Sequence, residues 1–113
     1  MEDLTMIVST TFNLEGYKIT EYLGIVRGII VRAPTIMQNF MGGLKTIIGG
    51  KIGAFTDMCE ATRQQAYDDM VEHAKQMGAD AIVGMQYDAS DIGESGTEVL
   101  CFGTAVKIQK IKI

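Results

Sequence analysis

Residues 47–88 constrain this chain more than any other stretch. They hold a Gly-punctuated turn, a long amphipathic run and then the sequence GADAIVGMQYD. The turn reads Ile47-Ile48-Gly49-Gly50-Lys51-Ile52-Gly53-Ala54-Phe55. From about Ala54 to Met77 the side chains separate at about 100° per residue. Phe55, Cys59, Thr62, Arg63, Ala66, Tyr67, Met70, His73, Ala74 and Met77 fall on one side. Asp57, Gln64, Gln65, Asp68, Asp69, Glu72, Lys75 and Gln76 fall on the other. The split predicts one helix with a buried face and a wet face, ended by Gly78 in the left-handed position after the last turn. Ala81–Asp88 reads as a strand, Ser90–Gly96 as a hairpin loop and Thr97–Gln109 as a last strand.

Upstream, Met6–Thr11 is β-branched and reads as a short strand, followed by turn chemistry at Asn13 and Gly16. Tyr17–Val31 is strand-like but holds Gly24 and Gly28. A glycine inside a strand signals a bulge, a bend or a close neighbour. Simple alternation places Ile19, Glu21, Leu23 and Ile25 on one face. Pro34 breaks this strand, and Thr35 can cap a short helix through about Ile47. Ile36, Met37, Phe40, Met41, Leu44, Ile47 and Ile48 recur there at spacings of three and four. A segment this apolar is expected to pack on another subunit. The interface residues expected are Ile36, Phe40, Met41 and Leu44, with Arg63 added from the long helix. The order is β-β-α-α-β-β. It predicts an α+β fold of two layers, a curved, largely antiparallel sheet packed on one long helix.

At 113 residues there is room for a single domain, residues 1–113, and one core. The net charge of −4 and the scattered Lys and Arg exclude nucleic acid as a main partner. The start of the chain is acidic and lacks the basic and apolar regions of a signal peptide. No run of about 18 apolar residues exists, so no membrane span is read. The two cysteines, Cys59 and Cys101, form no local motif and are read as free thiols, in keeping with a cytoplasmic protein.

Two sets of residues invite chemistry. Gly49, Gly50, Lys51 and Gly53 precede a helix and offer an anion cradle, because helix N-terminal amides favour anions. The spacing is neither that of a phosphate-binding Walker motif nor GxGxxG, and a tight helix-to-helix turn is the plainer reading. Cys59, Met70, His73 and Met77, with Cys101 from the last strand, offer soft donors suited to Cu or Zn. Cys59 lies more than a helical pitch from Met70, so only His73 with Met70 or Met77 can share one ion along the helix. Ordinary core packing is the competing reading, since Met and free Cys both fill cores. Asp68-Asp69 and the acids at Asp88, Asp91 and Glu94 read as solvated. Arg63 on the apolar stripe needs an acidic partner, Glu15, Glu21 or a neighbouring subunit's acid, or else reaches out to solvent. Nothing in the spacing marks a catalytic nucleophile.

A wider pattern then emerges. Thr10-Thr11, Gly16, Ile19, Glu21-Tyr22-Leu23-Gly24-Ile25-Val26 and Gly28 resemble the start of the YbjQ family. The turn Ile48–Phe55, Gly78-Ala79-Asp80-Ala81-Ile82-Val83-Gly84 and Gly103-Thr104-Ala105-Val106 extend the likeness from about Met6 to Lys107. Residues 1–5 then read as an N-terminal extension. The turn departs from the family's usual GGRSGAYE, with Lys51, Ile52, Phe55 and Thr56 in place of Arg, Ser, Tyr and Glu. The resemblance implies a subunit of the dodecin-like type, assembled as a ring-shaped homo-oligomer, a pentamer. It implies a label of heavy-metal binding without established ligands or activity. The function expected is therefore binding of a heavy metal or small ligand by a cytoplasmic homo-oligomer. The alternatives are a scaffold ring without ligand, and a small enzyme at the subunit interface using His73 and a nearby carboxylate.

Overall fold

A computed structural model describes residues 5–32, 51–92 and 96–112, with helix side chains from Thr56 onward. The expected short helix with Ile36, Phe40, Met41 and Leu44, and the turn residues Gly49 and Gly50, lie outside the described residues. The described elements are β1 (Ile7–Val8), β2 (Tyr17–Arg32), α1 (Lys51–Gln76), β3 (Ala81–Asp91) and β4 (Thr97–Lys110). They form an α+β arrangement, one helix on a four-stranded sheet of order β1-β3-β4-β2. β4 runs antiparallel to β3 and β2, whereas β1 runs parallel to β3. The sheet is thus mixed rather than simply antiparallel, though its parallel pair involves only Ile7 and Val8.

β1 is shorter than the β-branched run suggests, because hydroxyls compete for the backbone. The Ser9 and Thr11 hydroxyls lie 2.6 Å apart, and Thr11 N–H donates to Ser9 Oγ. The Thr11 hydroxyl donates to the Asn13 carbonyl, which curls the chain out of the sheet. The curled loop still serves β3: Gly84 N–H donates to the Thr11 carbonyl and Met85 N–H to that of Ser9. At that point β3 has two residues, Gly84 and Met85, facing Gly103 alone. Gly84 takes φ +65°, the left-handed conformation of a G1-type bulge.

β2 does not alternate simply. Register shifts between Ile19 and Glu21 and between Tyr22 and Gly24 each insert a residue. Each insertion flips the parity of the faces, which corrects the single alternation read from sequence. Gly24 accommodates the second shift with φ +126°. Beyond it Val26, Gly28, Ile30 and Arg32 face the helix, and Ile25, Arg27, Ile29 and Val31 face away.

α1 begins at Lys51, three residues before the expected start, so Lys51 and Gly53 belong to its first turn and not to a preceding loop. One glycine costs a helix about 1 kcal/mol, too little to stop a run this long. At the other end Gly78 takes φ +78°, and Ala79 N–H reaches back to the Ala74 carbonyl while Gly78 N–H reaches that of Lys75. This double bond pattern closes the helix as Gly78 in sequence predicts. Lys107 from β4 adds its ammonium to the Gly78 carbonyl at 2.8 Å.

The helix–sheet core holds Ala66, Met70 and Ala74 of α1 against Val26, Ile82, Met85, Val99, Cys101 and Ala105. The helix contributes a narrow row at intervals of four: Thr62, Ala66, Met70 and Ala74 are its buried side chains among those described. Cys59 and Arg63, expected on the buried stripe, are exposed. The row is narrow because small residues let the backbones meet closely at Gly28, so side chains one step off the contact line swing outward. A smaller cluster of Ala81, Val83 and Val106, joined by Ile7, Leu14, Ile19 and Ile108, sits on the other face of the sheet.

Candidate functional site

The soft donors do not converge on one point. Cys101 and Met70 do meet: both are fully buried, and the Cys101 thiol donates to Met70 Sδ at 3.6 Å. Burial pushes the Cys101 thiol up to about 11, so it carries its proton at neutral pH. Tyr67 and Tyr87 flank it. Burial first, and Cys101 next, raise both hydroxyls above their ordinary value. His73 lies further along the helix and has another task. Arg27 N–H, at the outer edge of β2, donates to His73 Nδ1 at 3.2 Å. That bond makes Nδ1 the acceptor and leaves the ring proton on Nε2. Met77 is half-buried beside Gly24. Cys59 is exposed, eleven positions and about 16 Å of helical rise before Met70. Among the described residues no three His, Cys, Asp or Glu side chains gather to hold a metal ion.

The second feature is a cleft of about 160 Å³ at the end of the sandwich where α1 begins. Met58, Cys59, Thr62 and Arg63 form its helix wall, Ala89, Thr97 and Val99 its sheet wall, and Arg32 reaches in from the end of β2. Thr62 anchors this arrangement. Its buried hydroxyl donates to the Met58 carbonyl one turn back and accepts from Arg32 Nε at 3.1 Å. Arg32 Nη2 donates to Gln65 Oε1 at 2.9 Å. Arg63 lies with its guanidinium carbon 5.2 Å from the centre of the Tyr87 ring. Of the readings open for Arg63, an acidic partner at Glu15, Glu21 or a neighbouring subunit or a reach to solvent, the exposed side chain fits the second, with the Tyr87 ring beneath it. Arg63 is exposed and carries no desolvation cost that demands a carboxylate.

Sequence reading missed Arg32. Arg32 shares the parity of Val26, Gly28 and Ile30, which marks it as helix-facing once the bulges are known. Two larger hollows of about 390 and 430 Å³ lie by the chain's start, around Thr5, Met6 and Lys75. The rim of the first carries Asp68 and Glu72 beside Lys75, that of the second Asp80 beside Lys75, so both mix charges of either sign.

Comparisons with known proteins place the chain in one family. A family model described as "Putative heavy-metal-binding", YbjQ, matches residues 6–109. A UPF0145 protein of Legionella pneumophila is 56% identical over 105 residues, covering 93% of this chain and all of its own. UPF0145 proteins of Burkholderia thailandensis and Chromobacterium violaceum are 50% and 47% identical. They cover 89% and 93% of this chain, and 91% and 90% of their own length. A crystal structure of a protein of unknown function from Pediococcus pentosaceus, placed in the DUF74 family, superposes with a TM-score of 0.49 at 14% identity, covering 94% of this chain and 98% of that one. The chain belongs to the YbjQ family of uncharacterised proteins.

Proposed function

We propose that this protein is a homo-oligomeric binding protein that assembles through the sheet face turned away from α1. One observation carries this reading. Ile25 is 69% exposed, Val31 52% and Ile29 43%, on the same face as the half-buried Leu100 and Phe102. Exposed apolar side chains grouped on one sheet face, here with Arg27 among them, mark an interaction surface, and a domain of this size gains by burying them. A closed ring, five copies in the form the family likeness implies, places every such face in a contact. Free thiols at Cys59 and Cys101 suit the reducing cytoplasm. No helix among the described residues is long and apolar enough to cross a membrane. Binding is favoured over catalysis because His73 is held by a backbone amide and Cys101 is a buried, protonated thiol. Sedimentation velocity at micromolar concentration tests the assembly. Wild type should sediment as an oligomer and Ile25→Asp with Ile29→Asp as a folded monomer. A monomeric wild type would sink the reading.

A second reading concerns the metal, and the Cys101–Met70 contact favours it. Two soft sulfur donors suit a monovalent soft ion such as Cu(I). They do not suit Zn(II), which takes four ligands where one chain brings no third to them among the described residues. Competition for Cu(I) against a chelator, wild type against Cys101→Ser, tests it. Equal affinity in the two proteins, or none in either, rejects it.

A further inference from the structure

The cleft between the start of α1 and the far end of the sheet is unlike the two hollows by the chain's start. Its charged side chains, Arg32 and Arg63, have one sign, on a chain whose net charge is −4. Among the described residues neither guanidinium meets a carboxylate, and their partners are Thr62, Gln65 and the Tyr87 ring. The two cations are held differently. Among the described residues Arg32 is fixed by Nε and Nη2, with Nη1 and its two N–H groups left over. Arg63 holds its guanidinium carbon over the Tyr87 ring, and a cation–π contact leaves guanidinium N–H groups open to donate. Met58, Val99 and Ala89 supply an apolar wall beside them. A site with preset donors at one end and an apolar wall at the other selects an amphipathic anion.

Size and charge narrow the ligand. The volume of about 160 Å³ equals roughly five waters at ~30 Å³ each, and is well below the ~300 Å³ at which drug-sized pockets begin. A carboxylate matches the fork geometry of arginine, and the overall negative charge of the chain disfavours polyanions. We propose that this cleft binds a short-chain aliphatic monocarboxylate, with the carboxylate on Arg32 and Arg63 and the tail against Met58 and Val99. The site lies on the helix side of the sheet, so it does not depend on the assembly proposed for the opposite face. Cys59 lies in the cleft wall and is exposed, whereas Cys101 is buried, so Cys59 reports occupancy.

Butyrate is the probe. Calorimetric titration of the purified full chain should show saturable binding in the millimolar range, the strength open to so small a ligand. Butyrate should also slow alkylation of Cys59 by N-ethylmaleimide, while butanol, butylamine and inorganic phosphate should not. Arg63→Met should weaken butyrate at least about tenfold, since it removes a charged donor from a surface position without touching the core. Arg32→Lys keeps the charge but not the fork, and should weaken it as well. The proposal is overturned by any of three results: no heat and no protection with butyrate, equal protection by butanol, or equal protection by phosphate. Undiminished butyrate binding in Arg63→Met overturns the placement of the carboxylate. A monomeric wild type that still binds butyrate would separate this site from the assembly.

Discussion

A Cβ on Gly28 would land on the carbonyl oxygen of Ala66, so strand and helix touch there backbone to backbone. Asp69 Cβ and Met70 N would each be 2.8 Å from the same added atom, and these are not flexible chain ends that can turn aside. The helix rests on the sheet at this point, and its narrow row of buried residues follows from it.

Gly28→Ala should therefore lower stability by about 3 kcal/mol or more, the upper range for overpacking. Gly16→Ala meets nothing within 4 Å and has only its φ of +86° to strain. It should cost about 1–2 kcal/mol. Urea denaturation of the two variants checks the order, and an equal loss in both would contradict the close contact.

One thiol should react in the native protein and two in the unfolded chain. Cys59 is exposed and Cys101 is not. Native mass spectrometry after brief iodoacetamide treatment should find a single adduct, and Cys59→Ser should abolish it. Rapid double labelling would mean that the helix–sheet core opens readily.

Alkaline pH should weaken the fold in a defined window. Burial raises the Cys101 thiol from 9.0 to about 11, so the folded state keeps a proton that the unfolded chain releases. Stability from this group is full below pH 9 and falls as pH rises towards 11, by roughly 2–3 kcal/mol at 1.36 kcal/mol per unit. Tyr67 and Tyr87, also raised, act in the same direction above pH 10. Urea unfolding at pH 8 and pH 10.5 checks this, and Cys101→Ala should show a shallower decline than wild type.

Lys107→Met should cost about 0.5–1 kcal/mol, because it removes a cation from the C-terminal end of α1 at the Gly78 carbonyl. Added salt should shrink the difference between variant and wild type, since the contact is exposed. A salt-independent difference would point to lost packing of the lysine stem.

The long helix and the last two strands were legible because period and punctuation agree there. Ala66, Met70 and Ala74 repeat at four, and Gly78 stops the run. The faces of β2 were not legible, because a bulge leaves no pattern in side-chain polarity. Only Gly24 hinted at one, and the shift at Thr20 has no glycine. The sequence periodicity also placed Cys59 and Arg63 inside, since angular averaging cannot see how closely Gly28 admits the helix. Of the candidate site, Cys59 and Arg63 stood out for their chemistry, but their meeting with Arg32 is tertiary. Arg32 sits at the end of a strand and meets Thr62 only once the helix has crossed back over the sheet. The pairing of Cys101 with Met70 was open in sequence for the same reason.

The order of the strands also governs when they can form. β3 and β4 are consecutive antiparallel strands tied at their ends by Ile92 N–H on the Gly96 carbonyl, and hairpins of this kind close in about 1–10 μs. Among the described residues β2 pairs only with β4. Tyr17 must find Lys110, and Ile7 must find Ala81, each across most of the chain. Loop-closure entropy delays such pairings, so the hairpin with α1 forms a platform onto which the N-terminal strands dock late. During synthesis the first thirty-odd residues leave the ribosome well before the strand that completes them. Until β4 follows, Ile25, Ile29 and Val31 sit on a strand with no sheet to join, and this chain's hazard of misassembly is concentrated in that interval.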